Sequence, residues 1–321
     1  MRCDDKKTMG TIGNRLTYLK YDLKYFLHNC RYYCKYRIGS AKEKNVLYFV
    51  FEPNGKHPGL ADRIKAIISL YNMCKANGYR FKFYYETPFV LSDYLRPKTD
   101  WVLHLDELEY YFGDTKIINE TNWRPIQHLE PKKQYHCYCY AGNDIPWEFE
   151  NTKYRWYDLF HELFEPSERL KSAYTGLHIP DASYVSVHLR FVNALEQFEN
   201  TFFDNYIESE QGRRKLIDRC KDGIRDIMCR HPEEIVYVFS DSKLFLESLA
   251  DMPVRVLDST NIGHTGELAD NGVYMKTFLD LYAMSRSRAI YRIRAKELYN
   301  WSCFALLAAR IGDIPFMDKD I

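Results

Sequence analysis

The feature that most constrains this chain is the alternation, from Asn45 onward, of short β-branched and aromatic runs with longer segments of helical period. NVLYFVF (45–51) predicts a strand, LADRIKAIISLYNMCKANG (60–78) a helix closed by Gly78, and YRFKFYY (79–85) the next strand, together a βαβ unit. WVLHL (101–105) and QYHCYCY (134–140) predict weaker strands, and residues 156–176 a helical linker broken at Pro166. A second series follows: YVSVHLR (184–190), a helix over 212–228, EIVYVFSD (234–241), a helix from Ser242, VRVLD (254–258), a helix over 272–286, AIYRI (289–293) and a last helix from Tyr299. Such alternation demands parallel sheets, because each crossover helix must pass over a sheet face and cover it. Two series in 321 residues predict two Rossmann-like domains facing each other across a cleft. The expected divisions are an N-terminal segment 1–44, a first domain 45–165 and a second domain 166–321.

Charge is unevenly divided between these parts. Residues 1–44 hold eleven Lys/Arg against four Asp/Glu, a net +7, whereas the remainder carries −6. Leu16, Leu19, Leu23, Phe26, Cys30 and Tyr33 recur at spacings of three and four, with Lys20, Lys24, Arg31 and Lys35 off that face. A basic amphipathic helix is therefore expected within residues 14–37. It either lies on an anionic membrane as a peripheral contact or docks its apolar face on protein. No apolar run is long enough to span a bilayer and no secretory h-region opens the chain, so a cytoplasmic protein is expected, peripheral at the inner face of the membrane if the helix binds lipid. The nine cysteines include Cys30/Cys34 and Cys137/Cys139 but no paired C-x2-C set, which predicts reduced thiols and no zinc. A nucleic-acid partner is not expected, since −6 outside the first segment opposes the phosphate neutralisation that such binding needs.

Within YVSVHLRF (184–191), a buried strand ends on His188 and Arg190, and the next strand ends on Asp241. Ligands of open α/β sheets bind beyond the carboxyl ends of the strands. A guanidinium there either grips a phosphate with its planar fork or pairs with a neighbouring carboxylate. G-x-G-x-x-G after a strand, G-x-x-x-x-G-K-[ST], G-x-S-x-G and H-E-x-x-H are all absent, which removes the main support for dinucleotide, P-loop, serine-hydrolase and zincin chemistry. The one D-x-D, Asp318-Lys319-Asp320, is read as a frayed tail, and no metal is expected.

The order of segments from about Asn45 to Pro315 resembles the fucosyltransferase superfamily of α-1,2-, α-1,6-, nodulation and protein O-fucosyltransferases. HPGLADRI (57–64) resembles the family's glycine-rich strand-to-helix turn and LFEPSERL (163–170) the entry to its donor domain. VHLR (187–190) resembles the H-x-R motif, VYVFSDS (236–242) the second motif, and KTFLDLYAMS (276–285) with NWSCFALLAARIG (300–312) the third. The resemblance implies the GT-B fold, GDP-fucose as donor and no metal cofactor. It implies that Arg190 holds the β-phosphate of GDP, where charge builds as the sugar leaves. His188 would lie by the nucleoside, Asp280 would accept from guanine N1 and N2, and Ser302 would meet a phosphate oxygen at a helix start. Asp241, Ser242, Gly59, Asp62 and Arg63 would complete the donor site. Each also has an ordinary structural reading: a helix residue for Asp280, a cap for Ser302, turn chemistry for Gly59 and a surface pair for Asp62 and Arg63.

Where many members of that superfamily continue H-x-R with a second arginine, this chain has FVNALEQFE, so Arg292, Arg294 or Lys296 is expected to supply the missing charge. The reaction implied is a single displacement giving an α-fucoside. Glu196 is the first candidate for general base and Asp204 the second. The acceptor expected is a glycan hydroxyl, free or lipid-linked as in bacterial surface polysaccharides. Another nucleotide sugar, or a non-catalytic nucleotide- or sugar-binding role, stands as the alternative.

Overall fold

A computed structural model describes residues 23, 26–27, 30–35, 43–51, 59–118, 129–138, 154–197, 203, 205–257 and 271–321. Two compact units divide the chain: one comprises Met1–His57, Ala66–Tyr85 and Asp100–Pro146, the other Pro58–Lys65, Glu86–Thr99 and Trp147–Ile321.

The first unit is built on four parallel strands in the order β2-β1-β5-β4. These are β1 (Val46–Val50), β2 (Arg80–Tyr84), β4 (Thr115–Ile118) and β5 (Gln134–Cys137). Helix α1 (Leu60–Ala76) links β1 to β2 and runs through the division at Lys65/Ala66. Every residue of β1 is buried, as a central strand covered on both faces requires. Val46, Tyr48 and Val50 share one face and pack with Leu103 and Leu108. Gly78 ends the helix at φ +68°, a conformation that costs a glycine little and most residues much.

In the second unit the order is β10-β9-β7-β8, again all parallel. Its elements run β3 (Leu95–Pro97), α2 (Trp156–Leu163), β6 (Phe164–Pro166), α3 (Glu168–Gly176), β7 (Tyr184–Leu189), α4 (Glu210–Arg230), β8 (Ile235–Ser240), α5 (Lys243–Ser248), α6 (Asn271–Ser285), β9 (Ala289–Arg294), α7 (Phe304–Gly312) and β10 (Phe316–Asp320). Period-two alternation along β7 sorts its side chains. Val185, Val187 and Leu189 join a core with Leu216, Cys220, Ile224 and Ile227 of α4. On the other face the Tyr184 hydroxyl donates to Ala283 of α6, and the His188 ring lies 5.8 Å from that of Phe304 in α7. Helices α6 and α7 approach closely at Gly312, where an added Cβ would lie 2.1 Å from the Ser285 carbonyl oxygen.

Several sequence expectations need correction. WVLHL forms no strand beyond a bridge of Val102 to Phe83, because a 3-10 turn, Leu105–Glu107, takes over, with Glu107 accepting from the His104 N–H at 2.9 Å. VRVLD likewise keeps one bridge, Arg255 to Tyr237. The linker over 156–176 contains the short strand β6, which pairs antiparallel with β3. The last helix starts at Phe304 rather than Tyr299; Tyr299 lies in the irregular stretch before it, its N–H donating to the Arg190 carbonyl. The supposed frayed tail is β10: Asp318 receives Arg292 Nε and Nη2 at 2.7 and 2.9 Å and Arg294 Nη1 at 3.1 Å, and this clamps an edge strand. Sequence reading missed β4, whose four residues are too few to show a period. Of the expected helix within residues 14–37, Leu23, Phe26, Leu27 and Cys30 to Tyr33 are described and helical, Cys34 and Lys35 form a turn, and the remainder lies outside the described residues. Among the described residues no helix is long and apolar enough to cross a membrane.

Candidate functional site

The carboxyl ends of β7 and β8 gather the charged groups that the strand pattern singles out. Arg190 follows the last residue of β7 and Asp241 the last of β8, and adjacent parallel strands bring the two together. Arg190 Nη1 lies 2.9 Å from Asp241 Oδ2. Asp241 is also filled from the backbone: Phe191 N–H donates to Oδ1 and Val192 N–H to Oδ2, both at 2.7 Å. Val192 stands at φ +56°, a region a β-branched residue rarely occupies. Two charge-assisted bonds offset that strain and bend the chain away from the sheet immediately after Arg190. Asn205 fixes the same bend, its Nδ2 donating to the Phe191 and Glu297 carbonyls at 2.7 and 2.9 Å. Neither Val192 nor Asn205 is legible in the sequence, since left-handed valine has no sequence signal and Asn205 acts over a distance.

His188 lies one step back on the same face of β7, beside Arg292 in the register of β9. It is buried, and among the described residues its Nδ1 has no hydrogen-bond partner, as is also true of Ser186 Oγ two residues earlier. Burial, reinforced by the charges of Arg190 and Arg292, pushes the imidazole pKa down to about 3, so His188 is neutral. A neutral ring with an unanswered buried nitrogen is a hydrogen-bonding group that the described residues do not satisfy.

Ser302 is buried next to the start of α7, and its carbonyl accepts from Arg292 Nη1 at 2.7 Å. Cys303 is the N-cap of α7 and its side chain accepts from none of the first-turn amides, donating instead to the Trp301 carbonyl at 3.5 Å. Trp301, directly before Ser302, is 80% exposed on a stretch tied to Arg190 through Tyr299.

The remaining candidates are placed as follows. Ser242 caps α5: its Oγ accepts from Phe245 N–H at 3.2 Å and donates to Glu196 Oε2 at 2.7 Å. The same Glu196 oxygen accepts from Leu244 N–H at 3.3 Å, so Glu196 is brought to the end of β8 as a helix-capping carboxylate. Asp204 lies outside the described residues. Asp280 is buried in α6 and Lys276, one turn earlier, donates to its two oxygens at 2.6 and 2.5 Å. Arg63 of α1 is buried and donates to the Thr87 carbonyl at 2.9 Å. Asp62 pairs loosely with Lys65 at 3.8 Å, and burial raises its carboxyl above the usual range while Lys65 pulls it down. Gly59 accepts from the Asp62 and Arg63 amides as the turn opening α1, and a Cβ there would meet nothing within 4 Å. Of the three cations expected to replace a second arginine, Arg292 and Arg294 are engaged with Asp318, and Lys296 is exposed. Among the described residues no group of three or more His, Cys, Asp or Glu is placed to hold a metal ion. The described cysteines are free thiols.

Comparison with known proteins gives a fold but no sequence family. No protein-family model and no curated protein sequence matches the chain. Among solved structures it is similar to the NodZ α-1,6-fucosyltransferase soaked with GDP-fucose, at a TM-score of 0.52 and 13% identity over 84% of this chain and 93% of that one. It is similar to fucosyltransferase NodZ from Bradyrhizobium at a TM-score of 0.54 and 14% identity, over 84% and 92% of the two chains. A variant of Arabidopsis thaliana FUT1 in complex with GDP matches at a TM-score of 0.51 and 11% identity, over 87% and 72%. The expected α/β architecture built on parallel sheets is thus the GT-B fold of fucosyltransferases.

Proposed function

We propose that the chain is an inverting glycosyltransferase that moves fucose from GDP-fucose to a hydroxyl of a glycan acceptor. The observation that carries the proposal is the Arg190 guanidinium, fixed by Asp241 at the carboxyl end of β7 beside the unanswered Nδ1 of His188. Both lie on the face covered by α6 and α7, in a fold shared with proteins solved with GDP-fucose and GDP.

In this reading the second domain, 166–321, binds the donor and the first, 45–165, the acceptor. The acceptor oxygen attacks C1 of the sugar, the C1–O bond to the β-phosphate breaks, and its electron pair leaves with GDP. Arg190 takes up that charge without a metal, because a fixed guanidinium is worth most where charge appears in the transition state. The first amides of α7, with Ser302, receive another phosphate oxygen. Glu196 Oε1 accepts the acceptor's proton, its Oε2 being held by Ser242 and Leu244. Asp280 reads guanine N1 and N2 with the acceptor capacity left beside Lys276, since each carboxylate oxygen has two lone pairs. Asp62, Arg63 and Gly59 border the donor through the turn that opens α1. A lipid-linked glycan is the acceptor we favour.

Calorimetric titration with GDP and UDP in EDTA, on wild type and Arg190→Ala, tests this. Micromolar GDP binding, weak UDP binding and a loss of at least about 2 kcal/mol in the variant are expected. Absence of GDP binding, or indifference to Arg190, rejects it. The second reading, a non-catalytic nucleotide binder, draws on the engagement of Arg292 and Arg294 with Asp318, which leaves the pyrophosphate one arginine short of the usual pattern. Donor turnover above background eliminates that reading.

A further inference from the structure

The described helical residues near the N-terminus turn some of their apolar side chains to the protein and others to solvent. Tyr32 is buried in the first unit, its hydroxyl 2.6 Å from both His136 Nδ1 and the Tyr138 hydroxyl, and Tyr33 donates to the Thr115 carbonyl at 3.1 Å. His136 is itself fully buried, with Nε2 2.5 Å from Gln134 Oε1. These bonds fix the end of the helix on β4 and β5. One and two turns earlier, Leu23, Phe26 and Leu27 are 60%, 62% and 51% exposed. A second element extends the same surface: the Phe112 ring, 70% exposed, meets Tyr33 edge-on at 6.3 Å and touches the half-exposed Tyr111 at 5.8 Å. Arg31 is exposed among them, and Lys35 Nζ sits over the Tyr32 and Tyr110 rings at 5.1 and 5.6 Å.

An apolar face that only covered the protein's own core would not leave two leucines and two phenylalanines in water. The surrounding charge selects the occupant. Residues 1–44 carry +7, and a surface that combines leucine, phenylalanine, tyrosine and basic residues matches an anionic bilayer, where rings and aliphatic chains sink to the acyl boundary and cations stay at the headgroups. We propose that Leu23, Phe26, Leu27 and Phe112 form an interfacial anchor that lays the first unit on an anionic lipid surface, with Tyr32 and Tyr33 as its attachment to the protein. The proposal goes beyond fucosyl transfer and does not depend on it.

Co-sedimentation of the full chain with phosphatidylcholine vesicles, with and without phosphatidylglycerol, tests the anchor. Wild type is expected to partition onto the anionic vesicles and to be released by raised salt, as screening dictates. Leu23→Glu with Phe26→Glu, and separately Phe112→Glu, are expected to lower partitioning at least about tenfold, since an acidic residue both removes an anchor and repels the surface. Unfolding midpoints should stay near wild type, because the replaced side chains are exposed. Wild type ignoring anionic vesicles, or both variants binding like wild type, overturns the proposal. So does a concentration-dependent dimer in sedimentation equilibrium that the double variant abolishes, which would make this face a contact between copies of the chain.

Discussion

Asp241 holds Arg190 by its guanidinium, with Nη1 to Oδ2 at 2.9 Å, while the amides of Phe191 and Val192 close on the same carboxylate. One buried anion thereby sets both the direction of the arginine and the bend of the chain after it. Asp241→Ala removes the acceptor of two amides and the carboxylate that pairs with the Arg190 guanidinium, and leaves the left-handed Val192 without its offset. Breaking a buried charged cluster from one side costs about 3–5 kcal/mol. Urea unfolding of the variant should show a loss of that order, with GDP binding weakened alongside it.

Arg190→Lys separates charge from geometry. Lysine keeps the cation but loses the planar fork that can engage Asp241 and a phosphate together. Turnover should fall at least about a hundredfold, roughly 3 kcal/mol of transition-state stabilisation, while GDP affinity falls by less. Steady-state kinetics beside calorimetry give the two numbers. Unchanged turnover with weakened binding would mean that Arg190 binds the ground state and transition state alike.

Two histidines predict the acid limb of stability. Burial pushes His188 and His136 down to about 3. Unfolded, each titrates near about 6.5. Between these values the unfolded chain takes up protons that the native state refuses, so acidification favours unfolding; above about 6.5 neither state is protonated and the effect vanishes. Stability should fall by up to about 1.4 kcal/mol per pH unit for each histidine as pH drops from 6.5 to 5, a window above most carboxylate titration. Urea midpoints across that range check the slope, and His188→Asn should about halve it.

The contrast between β7 and β10 shows what was legible in the sequence. β7 announced itself because six consecutive buried residues, with His188 and then Arg190 at its end, can only be an inner strand reaching a sheet edge. Its polar residues were placed correctly on one face because the strand period is strict. β10 was hidden because two of the five residues of FMDKD are acidic and none is buried; its pairing with β9 makes it a strand, and ion pairs with Arg292 and Arg294 hold it there. Those pairs also engage the two arginines expected to supply the missing charge, while Arg292 still reaches the Ser302 carbonyl. The capping role of Glu196 depends on which helix start it meets, which spacing in one chain does not fix, whereas the i,i+4 spacing of Lys276 and Asp280 within the expected helix could have given their pair.

Gly312→Ala should cost more than any exposed helical substitution. Its Cβ would sit 2.1 Å from the backbone oxygen of Ser285, and a backbone atom cannot swing aside as a flexible side chain can. Separation of α6 from α7 would disturb the start of α7 near His188. We expect a loss of about 2–3 kcal/mol in urea unfolding, within the range for overpacking. A loss below about 0.5 kcal/mol would show that the two helices slide freely.

Lys276 offers the sharpest test of Asp280. The two are buried together, with both carboxylate oxygens taken by one ammonium. Lys276→Met removes the ammonium from a buried carboxylate and should destabilise the protein by about 3–5 kcal/mol. If Asp280 reads guanine, GDP brings two N–H donors to the carboxylate that has lost its cation, and ligand stabilisation becomes larger in the variant than in wild type. UDP brings no such pair of donors and should not rescue. If Asp280 only packs α6, GDP raises the unfolding temperature equally in both proteins. Thermal melts of wild type and Lys276→Met, each with saturating GDP and then UDP, therefore distinguish a base-reading carboxylate from a structural one without any knowledge of the acceptor.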